Sequence, residues 1–291
     1  MLVSVGGSVV ASTIVYALLS LFLEPNRQEA LVRQMSTYAI TVAHQQFEKR
    51  FEVSLPTATY EFSGIPPKQF VEAFLTLLAS SKRYDHKGVA GRYTTFWLYE
   101  LRNRPEVRNL DQIGLCLLDP RADDSIFAHA IQRIRHDHKQ VDDNTVASEA
   151  EKVRVDVFVS LFALFDIRSS FPTTIYLHRD LPFFRCDLFD NGMFLTYHLS
   201  SATYASTSLY SASTEPYHAY KHNLELTRRY ASAEMSFRTG GPPGAVNAED
   251  RLASQLSELG CSLEVDDLRQ KRDQRHRLLR GDAERAGVVL Y

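Results

Sequence analysis

Three groups of residues in this sequence have side chains suited to chemistry. The densest is HDHKQVDDN, His136 to Asn144, where two histidines and three aspartates offer nitrogen and oxygen donors to a metal. Their spacing matches no recurring metal site, and a polar cluster between two helices is ordinarily a solvated loop, so no metal is expected. His218 and His222 stand four apart and would share a helix face, but position 219 is alanine where a zinc-protease helix carries glutamate. They are expected at the surface. His178, Arg179 and Asp180 close an expected strand just before Pro182, and strand ends are where α/β sheets carry functional groups. His178 is the candidate catalytic residue and Arg179 a candidate ligand contact.

Other chemistries lose support from what is missing. The sequence holds no G-x-S-x-G, no Walker loop and no Rossmann fingerprint, which weighs against hydrolase, NTPase and dehydrogenase readings. No cofactor is expected. Cys116, Cys186 and Cys261 are odd in number, far apart and outside C-x-x-C spacing, so they suggest neither a disulfide framework nor zinc, and they fit a reducing cytoplasm. A formal charge of -2, from 33 basic and 35 acidic residues, gives no global field toward nucleic acid.

The chain of 291 residues, 44% hydrophobic and 23% charged, is long enough for one large domain or two small ones. Its first 23 residues, MLVSVGGSVVASTIVYALLSLFL, contain no charged side chain, and as a helix they reach the ~30 Å of a bilayer core. No basic residue precedes the run, unlike a cleaved secretory signal. Arg27 and Arg33 lie on its C-terminal side, which places the following domain in the cytoplasm, on a single-pass anchor in the inner membrane. Gly7 and Ala11 form a small-x-x-x-small pair that would support self-association of such helices.

The rest of the chain reads as elements that alternate in period. Residues 24–55 suggest a juxtamembrane helix, with Leu31, Tyr38, Val42 and Phe47 on one face. A strand-like run at Thr59–Phe62 precedes a helix begun by Pro66-Pro67 and striped by Phe70, Phe74, Leu75 and Leu78. YDHKGVAGRY reads as a loop, Thr94–Leu101 as a helix, and Ile113–Pro120 as a strand buried on both faces. Helices at Ile126–Arg135 and Val146–Phe165 are followed by a strand at Thr173–His178. Asp190-Asn191-Gly192 then joins strands Phe183–Phe189 and Met193–Leu199 in a hairpin. Ser200–Ser213 reads as a surface loop before a helix at Pro216–Ala231. Residues 232–247, with GGPPG, read as a linker, and 248–291 as a charged helical tail extending into solvent. The fold class is α/β with a mixed sheet, its domain spanning 56–231.

One pattern points to a family. A buried strand ending Leu117-Leu118-Asp119-Pro120, a long helix, and a strand leading into FFRCDLFDNGMFLTY resemble the phospholipase D-like fold over roughly Thr59 to Leu199. The resemblance is one of pattern and not of a complete motif. It implies a hairpin carrying His-x-Lys-x-x-x-x-Asp, in which histidine attacks phosphorus, lysine binds phosphoryl oxygens and aspartate orients the histidine. Here that register reads Phe183-x-Arg185-x-x-x-x-Asp190. Phenylalanine has no lone pair to attack with, so the covalent step is missing. Arg185 would still hold an anion bidentately, with Asp190 beside it, giving a site that binds phosphate-containing ligands without cleaving them. Alternatively Arg185 pairs with Asp187, and Asp190 is a turn residue.

The resulting expectation is a non-enzymatic, membrane-anchored sensor that oligomerises and resembles bacterial signalling or antiphage defence components. Two alternatives remain open. One is a tethered phosphodiesterase or nuclease using His178, His136 or His138. The other is a pore-forming or membrane-disrupting effector driven by the Gly7 and Ala11 helix.

Overall fold

The computed structural model of the chain describes residues 54–62, 66–107, 109–136, 141–182, 184–198, 205–238, 248–285 and 287. The expected membrane anchor and juxtamembrane helix lie outside these residues. Among the described residues no helix is long and apolar enough to cross a membrane. In chain order the elements are β1 (Ala58–Phe62), α1 (Lys68–Ala79), β2 (Arg83–Lys87), α2 (Arg92–Leu101), β3 (Gln112–Leu118), α3 (Asp123–His136), α4 (Asp143–Asp166) and β4 (Thr173–His178). They continue as β5 (Phe184–Phe189), β6 (Gly192–His198), β7 (Ala205–Ser211), α5 (Glu215–Arg229), β8 (Ala233–Phe237), α6 (Ala248–Glu258) and α7 (Val265–Arg285).

The strands make one mixed sheet in the order β1-β7-β6-β5-β2-β3-β4-β8. Its two halves have different grammars. β2, β3 and β4 run parallel, while β5, β6, β7 and β1 pair antiparallel, and the halves meet where β5 pairs antiparallel with β2. β3 is apolar without alternation because both of its faces are covered, and Ile113 through Leu118 are all buried. Gly91 adopts φ +62, a left-handed conformation that turns the chain from β2 into α2 within four residues.

Helix α4 explains how the core closes on one face. Asp142 caps it by accepting from the Thr145 N–H at 2.9 Å, and its second half, from Val157 to Phe165, is buried all round. α2, α3, α6 and α7 surround it, and Phe162, Phe165, Leu252, Leu256 and Leu268 belong to one continuous apolar core. On the opposite face α5 covers β3, β4 and β7, closing a smaller core around Cys116, Cys186, Leu195 and Leu224. Thr214 caps α5 and Arg228 and Arg229 occupy its last turn, where cations favour the helix dipole.

The mixed α/β sheet, the hairpin and the C-terminal helix follow the sequence expectation, but three segments differ from it. YDHK is not a loop but the central strand β2, because its polar side chains find partners on both faces. Residues 205–211 are not a surface loop but β7, an interior strand between β6 and β1 in which Thr207 and Thr196 exchange a hydroxyl hydrogen bond at 2.9 Å. The expected linker contains β8, which pairs with β4 at the sheet edge.

The charged tail likewise is no solvated extension. α7 buries Leu268, Leu279 and Ala283, and Arg275 donates to Ser160 Oγ at 2.8 Å and to the Asp156 carbonyl at 3.1 Å on α4. Charged residues on a helix hide an apolar stripe in a compositional reading, yet the stripe is what docks it. Leu268→Ala is therefore expected to destabilise the domain by about 2–5 kcal/mol in chemical denaturation. A freely solvated tail would leave the midpoint unchanged.

Candidate functional site

Alternation along β2 sends Tyr84 and His86 to one face and Arg83, Asp85 and Lys87 to the other. On the first face all the polar atoms converge on Asp187. Register places Asp187 of β5 directly opposite His86, and its side chain is fully buried. Asp187 Oδ1 accepts from the Tyr84 hydroxyl at 2.5 Å and from His86 Nδ1 at 2.8 Å, while Oδ2 accepts from Arg185 Nε at 2.8 Å. Thr94 Oγ1, on the first turn of α2, lies 3.1 Å from His86 Nδ1.

The electrostatics of this cluster are one-sided. Burial by itself raises the Asp187 carboxyl, but Arg185, His86 and the hydrogen bonds outweigh it and hold the carboxyl well below the usual carboxylate range. Burial lowers the pKa of His86 more than Asp187 raises it, so the ring stays neutral. Burial and the adjacent carboxylate keep the Tyr84 phenol protonated as a donor. Among the described residues His86 Nε2 has no hydrogen-bond partner, and it faces Gly88 so closely that a Cβ there would stand 2.7 Å away. The His86–Asp187 pair has the form of a histidine oriented by a carboxylate, but its outward nitrogen points into a wall.

On the second face Asp85 is buried and paired with Arg228 of α5, and Arg83 Nε donates to its Oδ2 at 2.8 Å. Burial raises the Asp85 carboxyl, and the two arginines offset only part of that. The strand next door carries Gly114 at this point because a Cβ would stand 2.5 Å from Asp85 Oδ1. A cleft of about 180 Å³ opens beside the pair, lined by Arg83, Asp85, Asp190, Lys221, Glu225 and Arg228 among others. Further along, Lys87 Nζ donates to Asn223 Oδ1 and Thr227 Oγ1, each at 2.8 Å.

The residues nominated from sequence are dispersed. Arg185 is bound to Asp187, so its guanidinium is already engaged. Asp190 ties down the start of β2, its Oδ2 accepting from the Lys82 N–H at 2.7 Å and the Arg83 N–H at 3.3 Å. His178 is 2% exposed at the end of β4, with neither ring nitrogen hydrogen-bonded among the described residues, and Arg179 is exposed beside it. Register puts His178 on the Lys87 face of the sheet and Arg185 on the His86 face, so the two do not share a pocket. Phe183, His138 and the side chain of His136 lie outside the described residues. His218 and His222 are exposed on α5, as expected.

Sequence reasoning missed His86, Asp85 and Lys87, because a run with polar residues at every position carries no strand signal. The cue available was Asp187, already named as a partner for Arg185. Also missed was Asp119 at the end of β3, fully buried and bound by Arg121 and by the Ser232 hydroxyl at 2.5 Å. No protein-family model matches the chain, and no curated protein matches it.

Two outcomes follow from this arrangement. Asp187→Ala leaves the half-buried Arg185 without its counterion and Tyr84 and His86 without their acceptor, and is expected to cost about 3–5 kcal/mol of stability, read by denaturant unfolding. The pH profile is expected to fall on the acid side in two stages. His178 is pushed down to about 4, chiefly by burial and then by the Lys87 charge, so the unfolded chain takes up that proton first. Stability is therefore lost as pH drops from about 6.5 toward about 4, with His86 and His276 acting in the same direction. Below about pH 4 the unfolded chain also takes up a proton at Asp187, whose folded carboxyl is held well below that range, and this adds to the loss. His178→Gln should remove on the order of 3 kcal/mol of the first stage in pH-dependent unfolding.

Proposed function

We propose that the chain is a membrane-tethered sensor whose phospholipase D-like domain binds a phosphate-containing ligand without cleaving it. The observation that carries the reading is the closure of the polar centre. Asp187 accepts from three donors, Arg185 is committed to it, and His86 Nε2 is buried against Gly88. Position 183, where the family's nucleophile would stand, is phenylalanine. A centre of this kind fixes the sheet, and it does not present a nucleophile.

The anchor at residues 1–23 carries the domain on the cytoplasmic side of the inner membrane, and its Gly7 and Ala11 pair serves self-association there. Ligand binding in the domain then shifts the assembly of the anchors, as in bacterial signalling or antiphage defence. A second, hydrolytic reading has one observation in its favour, namely the Nδ1 contact with Asp187 that would orient His86 for general-base work.

The two readings separate on the full-length protein in detergent, assayed against nucleic acids, nucleotides and phospholipids. The sensor reading expects no turnover above buffer. Turnover that disappears in His86→Ala or His178→Ala would replace it with the hydrolytic one.

A further inference from the structure

The C-terminal edge of the parallel strands holds an amine that lacks a counterion. Lys87 ends β2 half-buried, its Nζ donates to two neutral oxygens, and among the described residues no carboxylate stands within ion-pair distance of it. An ammonium carries three donors, so one is unused. Burial lowers the pKa of the amine, and the acids whose fields reach it are the exposed Asp180 and the thiols of Cys116 and Cys186.

His178 ends β4 on the same face. Its ring faces the backbone of Asp180 and Gly88, yet among the described residues neither nitrogen makes a hydrogen bond of acceptable geometry, although the residue is 2% exposed. A buried polar group without a partner is uncommon, and a missing ligand is one of the few reasons to retain it.

Topology gathers these groups at one place. From β2 the chain moves outward to β3 and β4, and then returns to the far side of β2 as β5. The segment that leaves β4 through Arg179 and Asp180 must therefore cross the ends of β3 and β2. Reversals of strand order at the carboxyl ends of parallel strands are where α/β sheets leave a crevice for ligands.

We propose that Lys87 and His178 bind the phosphoryl group of the ligand, the ammonium supplying charge and the imidazole a hydrogen bond. A phosphate dianion matches the ammonium in charge and has oxygens enough to meet both groups at once. This rests on the sensing reading above, and it moves the phosphate contact from Arg185 to the opposite face of the sheet.

Inorganic phosphate is the probe, titrated by calorimetry into the full-length protein in detergent. The wild type is expected to bind, Lys87→Met to weaken binding at least tenfold, His178→Gln to weaken it severalfold, and Lys221→Met in the α5 cleft to leave it unchanged. Should Lys87→Met fail to melt cooperatively, His178→Gln decides, and unchanged affinity there overturns the site. Wild-type affinity in both variants overturns it while leaving the sensor reading intact, and so does a loss confined to Lys221→Met. A wild type that binds no phosphate overturns it outright. The sensor reading itself is judged by the turnover assay.

Discussion

A single buried carboxylate holds the two halves of this sheet together. Asp187 stands on β5, the first antiparallel strand beyond the parallel set, and it takes hydrogen bonds from two residues of β2 and one of its own strand. A charge so deep in the sheet is costly unless every lone pair is met, and removing any donor leaves the rest uncompensated. The junction of β2 with β5 is therefore specified by electrostatics as well as by backbone pairing. A slip of one residue would turn Asp187 toward the α5 face, away from Tyr84 and His86, its two donors on β2.

That constraint divides the labour between the faces of β2. Tyr84 and His86 are consumed in stabilising the junction, and α2 begins tightly after it because Gly88 leaves room for the His86 ring. Arg83, Asp85 and Lys87 face α5, where the pairing of Asp85 with Arg228 occupies the middle and Lys87 is left at the open end of the strands. One strand thus supplies a rigid, closed centre and, one residue away, a partly satisfied cation at the C-terminal end of the strand.

Much of the frame was legible in the sequence. The buried strands β3 and β4, the long α4 and the Asp-Asn-Gly hairpin all carry strong local signals of apolar runs or turn chemistry. β2 and β7 did not, because their polar residues are satisfied by partners far along the chain: Asp187 is 101 positions from His86, and Thr207 meets Thr196 across a strand pair. The tail was misjudged for a related reason, since Arg272 and Arg275 are buried charges whose partners Asp166 and Asp156 lie on α4. Of the nominated site residues, His178 lies buried at the strand edge where it was placed, whereas Arg185 and Asp190 turned out to hold structure. Periodicity reports burial of apolar groups, and it is silent about polar groups buried with a partner.

The closed centre requires Asp187 to remain ionised and to fix the tautomer of His86. Long-range proton–nitrogen correlation spectra of the histidine rings test this most directly. The prediction is a His86 ring protonated at Nδ1 and bare at Nε2, neutral and unchanged through the range where exposed histidines titrate. A His86 ring protonated at Nε2, or one that titrates near the ordinary histidine value of about 6.5, would contradict the closed centre and the reading built on it.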